Sequence, residues 1–181
     1  ALPIFSPAAL DELMRCMDAG RLPQVWVLEL SSFQMETTTA LQADAAVVLN
    51  VTDDHLDRHG SMAQYAHEKS RIFDGTGVQV VNRQDAWSSG MVRAGRRVVS
   101  FGLDLPSGRE DFGTRDIAGV RWMVRGDEPL LPCAALPMVG EHNLSNALAA
   151  LALGGVVLVL AGAWVRAVRR GGVRCPNCGR R

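Results

Sequence analysis

The strongest constraint on the fold of this chain is a set of short apolar runs separated by stretches with helical spacing. The runs are Val25–Leu28, Ala45–Val51, Val78–Val81 and Arg97–Phe101. Their brevity and largely apolar character, unbroken in Val25–Leu28, suit strands of a parallel sheet buried on both faces. Between them lie a short helical segment at Glu36–Leu41, a helix at Ser61–Phe73 and another at Gln84–Arg93. In the second of these, Met62, Tyr65, Ala66, Ile72 and Phe73 form a stripe of 3.6-residue period. Such alternation predicts an α/β fold of three layers, a mostly parallel sheet flanked by helices. Ahead of it, Ser6-Pro7 reads as a cap and first helical position for a helix running to Asp18. Gly20 ends that helix and Pro23 leads into the first strand.

From about Arg115 the texture changes. Val120–Val124, Leu130-Leu131 and Ala135–Val139 are short strand-like runs split by Gly126-Asp127 and by prolines, which predicts a small antiparallel appendage. Gly140-Glu141-His142-Asn143 then opens a helix over Leu144–Leu153. Asn143 and Asn146 project together from its first turn, where amides cap a helix or read a ligand; capping is the default for Asn143.

Two residues stand out chemically. Glu29 interrupts the first apolar run at its carboxyl end, the side of an open sheet where ligands bind. A carboxylate there needs a partner, either a metal ion or, equally well, a following turn or an arginine. Lys69 is the only lysine among nineteen basic residues and falls on the inward stripe of its helix. An ammonium, unlike a guanidinium, can lose its proton when buried and turn nucleophilic; chance in an arginine-biased chain is the alternative. The polar cluster Thr52-Asp53-Asp54-His55 follows the second strand.

At 181 residues, 48% hydrophobic and 21% charged, the chain suffices for one ordinary domain. Formal net charge is zero, yet every charged residue from Arg166 onward is an arginine, so a basic tail follows an acidic body. Ala1–Ala9 has no basic region of signal-peptide type, and Cys16, Cys133, Cys175 and Cys178 show no disulfide framework, which together lead to an expectation of a reducing cytoplasm. Residues 147–165 are uncharged over a length that could span a bilayer, but Gly154-Gly155 interrupts them, and the expectation is no membrane span. Cys175-Pro-Asn-Cys178 is half of a zinc knuckle with no second pair nearby. The tail arginines lack the aromatic interleaving of a specific nucleic-acid site, so no nucleic-acid partner is expected.

Four collinear blocks carry a resemblance: LELSSFQMETT, LNVTDDHLDRH, YAHEKSRIF and GEHNLSNALAALAL. In order and spacing they resemble the central, ATP-binding domain of the Mur ligases, over roughly Ser6 to Gly155. The resemblance implies ATP-dependent amide ligation in peptidoglycan precursor synthesis. A substrate carboxylate becomes an acyl phosphate, which the amine of an incoming amino acid attacks. D-glutamate joining UDP-N-acetylmuramoyl-L-alanine is the implied pair. Glu29 is implied as a magnesium ligand near the ATP phosphates, His55 as a ligand of a second magnesium, and Lys69 as a lysine carbamylated to support that second metal. Asn143 and Asn146 are implied to contact the nucleotide, and Ser31 and Gln34 to line the UDP-sugar-peptide pocket. Oxygen ligands holding a hard cation against a transferring phosphoryl group make chemical sense. A monomer is expected.

The chain departs from the family pattern in three places. With Lys69 the only lysine, no Gly-rich loop ending G-K-[ST] occurs in it, and Pro3-Ile4 stands where the family has Gly-Asn. After Gly155 the sequence leaves the family. The expectation is therefore an incomplete central domain over 1–155 followed by a foreign tail over 156–181, inactive by itself. The alternative is a non-catalytic nucleotide-binding or membrane-tethered remnant.

Overall fold

The structure, a computed structural model, describes residues 9–53 and 56–160, without the side chains of 56 and 158–160. The chain divides into two units between Ser31 and Ser32. Of the first unit, helix α1 (Ala9–Asp18) is described; the Ser6-Pro7 start lies outside the described residues. Gly20 takes the left-handed conformation (φ +63°) that ends the helix, and the Arg21 amide donates back to the Cys16 carbonyl at 2.9 Å.

The first apolar run corrects the sequence reading. Val25–Leu28 is not a strand, and its four side chains are 39–78% exposed. An extended run becomes a strand only where a neighbour takes its amides and carbonyls, and no described strand pairs with this one. Glu29, expected at a strand's carboxyl end, sits exposed in irregular chain.

The second unit is built on one six-stranded sheet in the order β1 (Ala45–Val48), β2 (Val78–Asn82), β3 (Val98–Phe101), β4 (Phe112–Ile117), β5 (Val120–Arg125), β6 (Glu128–Pro132). The first four run parallel; β5 and β6 return antiparallel. The α/β expectation thus holds, and the antiparallel part continues the same sheet. Strand β4 was not foreseen. It joins β3 through residues 102–111 with no intervening helix, a crossover on which the Arg83 guanidinium makes several bonds. Arg83 donates to the carbonyls of Phe112, Asp104 and Leu105 at 2.8–3.2 Å and pairs with the Asp104 carboxylate at 2.7 Å. The expected strand Ala135–Val139 is instead a 3-10 turn at Cys133–Ala135 and irregular chain, since Pro132 and Pro137 remove the amides a ladder needs. Within the border strand β6, Pro129 and Pro132 lack amides, and the register shifts at Met123/Val124 of β5.

Helices cover both faces. On one, α6 (Glu141–Leu160) lays Leu144, Leu148, Ala149, Ala152 and Val156 on Val78, Val80, Val99, Phe101, Phe112 and Met123. The helix runs seven residues past the expected Leu153, through Gly154 and Gly155; Gly155 lets the Phe112 ring approach the backbone. On the other face, α4 (Met62–Ser70), a 3-10 turn (Arg71–Phe73) and α5 (Ala86–Gly90) pack Tyr65, Ala66, Phe73 and Met91 on Ala46, Val48 and Val81. The strand period of two sends Val78 and Val80 to one face, Gln79 and Val81 to the other. Two small helices complete this side: α2 (Ser32–Thr37), which begins and ends earlier than the predicted Glu36–Leu41, and α3 (Leu56–His59). None of the helices among the described residues is long and apolar enough to cross a membrane. Trp164, the tail arginines, Cys175 and Cys178 lie outside the described residues.

Candidate functional site

The helix that carries Lys69 is set by its caps. The Ser61 side chain accepts the Gln64 amide at 3.2 Å, starting α4 one residue after the predicted position. Gln64 and Glu68, four apart, bond across its outer face at 2.8 Å. Lys69 is half-buried, and its Nζ lies 5.0 Å from the centroid of the Tyr65 ring one turn back. This is a cation–π geometry, not an ion pair. No carboxylate among the described residues pairs with the ammonium.

Helix α2 presents Gln34, which is exposed. It is pinned at both ends. At its start the Ser32 Oγ lies 3.0 Å from His59 Nε2, both groups buried. At its end Arg71 donates to the carbonyls of Glu36 (3.1 Å) and Thr38 (2.8 Å), orphans of the last turn. His59 is 7% exposed and stacks with Phe33 (centroids 5.5 Å, 12° between planes) and with Tyr65 (5.0 Å, 27°). Its Nδ1 is 3.5 Å from Glu36 Oε1, and Arg58 donates to Glu36 Oε2 at 2.8 Å. The Arg58 guanidinium beside it holds the Glu36 carboxyl below the usual carboxylate range, and Glu36 in turn raises Arg58.

Of the residues named from the sequence, Lys69 and Gln34 lie in this cluster of α2, α3 and α4. Asn143 and Asn146 stand apart from it, on the first turns of α6. Asn143 donates to the Val139 carbonyl at 2.8 Å, a local bond that ties the loop to the helix start, and Asn146 is exposed. Ser31 and Glu29 belong to the first unit and are exposed. His55 lies outside the described residues. Among the described residues no three His, Cys, Asp or Glu gather as a metal site. A separate cleft of about 390 Å³ opens between α4 and α5, lined by His67, Ser70, Trp87 and Arg93 among others, and contains none of these residues.

His59 escaped the sequence reading. It sits in the quoted block HLDRH, but its partners Ser32, Phe33 and Glu36 are over twenty residues away, and no spacing rule joins them. A histidine four after His55 at a helix end was the one local signal.

Comparison with known proteins adds the context. The Mur ligase middle domain family matches residues 6–154. A UDP-N-acetylmuramoylalanine–D-glutamate ligase from Aromatoleum aromaticum is 54% identical over 150 residues, which are 82% of this chain and 32% of that protein. The protein of the same name from Dechloromonas aromatica is 56% identical over 150 residues, again 82% and 32%. The chain thus spans about a third of the length of the curated relatives it matches. Among solved structures, MurF from Acinetobacter baumannii is similar at a TM-score of 0.49 and 25% identity, over 64% of this chain and 26% of that one.

Proposed function

Because this chain belongs to the Mur ligase middle domain family, we propose that it is the ATP-handling part of an amide ligase acting in peptidoglycan precursor synthesis in the cytoplasm. The reaction is the addition of D-glutamate to UDP-N-acetylmuramoyl-L-alanine through an acyl phosphate. What carries this reading is the match over 6–154 together with the state of the sole lysine: half-buried, over an aromatic ring and outside any ion pair among the described residues. An amine so held can take up carbon dioxide, losing a proton, to become a carbamate.

Glu29, His55 and carbamylated Lys69 would hold magnesium, a donor set of two oxygen ligands and one imidazole that suits a divalent cation. When bound, the metal would supply positive charge beside the phosphates. The residues of the chain have the remaining tasks. Asn143 and Asn146 present amides to the nucleotide from the start of α6, whose unpaired amides also favour anions. Ser31 and Gln34 orient the UDP-sugar-peptide so that its carboxylate faces the γ-phosphate. A phosphate loop and a docking site for the amino acid would have to come from outside these 181 residues. The polypeptide acts as a monomer in this reading.

The test is nucleotide binding by calorimetry with and without magnesium, beside a ¹³C-bicarbonate spectrum of the same sample. Magnesium-dependent ATP binding weakened tenfold or more in Asn143→Ala, with a carbamate signal that Lys69→Arg abolishes, supports the reading. Magnesium-independent binding with no carbamate overturns it.

A further inference from the structure

We propose that His59 is a positioning residue for the Lys69 amine, acting through the plane of the Tyr65 ring. The inference rests on the reading that the Lys69 amine is the working group of this site.

The geometry forms a continuous train of contacts from α2 to α4. His59 is keyed at both ring nitrogens. Its Nδ1 lies 3.5 Å from Glu36 Oε1, and its Nε2 shares a hydrogen bond of 3.0 Å with the Ser32 hydroxyl. Both partners sit on α2, one turn apart, so the imidazole plane is set by that helix. The plane is set again by stacking, with Phe33 of the same helix and with Tyr65. Tyr65 is 6% exposed, and a ring stacked on a fixed neighbour cannot turn freely about its own torsions. Lys69 Nζ then lies over that ring at 5.0 Å.

A lysine carries four rotatable bonds and loses much conformational freedom when ordered. A cation–π contact orders it only as well as the ring itself is ordered. His59 supplies that order, and because Ser32, Phe33 and Glu36 flank Gln34 in sequence, it also fixes the amine relative to the helix that carries Gln34. The charged and titratable groups around the imidazole are Glu36 of α2, Arg58 of its own helix, and Tyr65 and Lys69 of α4. Ser32 is buried and fully engaged with His59, which suits a structural hydroxyl and not an attacking one.

Because Lys69 is the only lysine, growth on ¹³C-lysine gives the chain one side-chain ε-CH₂ signal. In the wild type this signal is displaced upfield by the Tyr65 ring, and Tyr65→Leu removes the displacement. His59→Ala is expected to lose most of it. His59→Phe, which keeps a stacking ring, restores it, while His59→Gln, which keeps a polar group and no ring, does not. Circular dichroism establishes that each variant is folded; should His59→Ala fail to fold, Phe33→Leu, which frees one side of the imidazole, is expected to weaken the displacement. A signal unmoved in every folded variant at position 59 or 33, or one restored equally by Phe and Gln at 59, overturns the proposal. Absence of a bicarbonate-derived carbamate in the wild type counts against the proposed function alone, since the ε-CH₂ signal reports the amine's place whether or not it is modified.

Discussion

The two faces of the sheet are held by different physics. Against α6 the buried contact is apolar: Leu148, Ala152, Val80, Phe101 and Met123 are completely buried, and the ion pair of Arg121 with Glu141 at 3.8 Å lies at the exposed start of the helix. Against α4 and α5 the apolar contacts are fewer, and polar groups key the helices to the sheet. Gln79, completely buried in β2, binds both backbone groups of Arg93, donating to its carbonyl at 3.0 Å and accepting its amide at 2.7 Å. Ser88 of α5 donates to the Val48 carbonyl at 2.8 Å and accepts the Asn82 amide at 3.0 Å, so one hydroxyl bridges the ends of β1 and β2. Ser32, His59 and Glu36 continue this style of contact. An apolar face tolerates sliding; a polar one fixes position, which is what a site needs.

Substitutions should separate the faces. Leu148→Ala, which empties a completely buried position, is expected to cost about 3–5 kcal/mol by denaturant unfolding, with neighbouring side chains collapsing partway into the gap. Gln79→Leu keeps the volume but strands the Arg93 amide and carbonyl; a loss of about 1–3 kcal/mol is expected, with little change in denaturant slope. Should Gln79→Leu prove neutral, the contrast between the faces fails. Ser88→Ala is expected to cost about 1–2 kcal/mol and to speed amide exchange at Asn82. The smallest effect is electrostatic. The Glu36 carboxyl is held below its ordinary range by Arg58. That contribution is present above about pH 4.3, the unfolded value, and fades as pH falls through the lower folded one. Arg58→Gln should therefore lower neutral stability slightly and flatten the fall of the melting temperature below that pH by the same small amount, because the pair is largely exposed to solvent.

What could be read from the residues follows the same division. The α6 face was legible: the strands at Ala45, Val78 and Val98 and the leucines at 144, 148 and 151 announce themselves by period. Strand β4 was not, because Phe112–Ile117 includes Gly113, Arg115 and Asp116 and is recruited by its pairing with β5. Val25–Leu28 erred the other way, with strand texture and no partner. Gly140 and Glu141 marked the α6 start correctly, whereas nothing nearby said that the helix would pass Gly154. On the site side, Lys69 was visible by its rarity. Its ring was visible too, since Tyr65 is four residues back; His59 was hidden because its contacts cross between separate segments.

The two prolines of β6 have a bearing on the molecule's behaviour in a crowded solution. A border strand normally offers a row of amides to any extended chain that drifts past, and assemblies that grow strand by strand begin there. Pro129 and Pro132 leave two gaps within five residues. On that flank a visiting chain finds too few donors in sequence to anneal, so fibrillar growth meets a blunt margin.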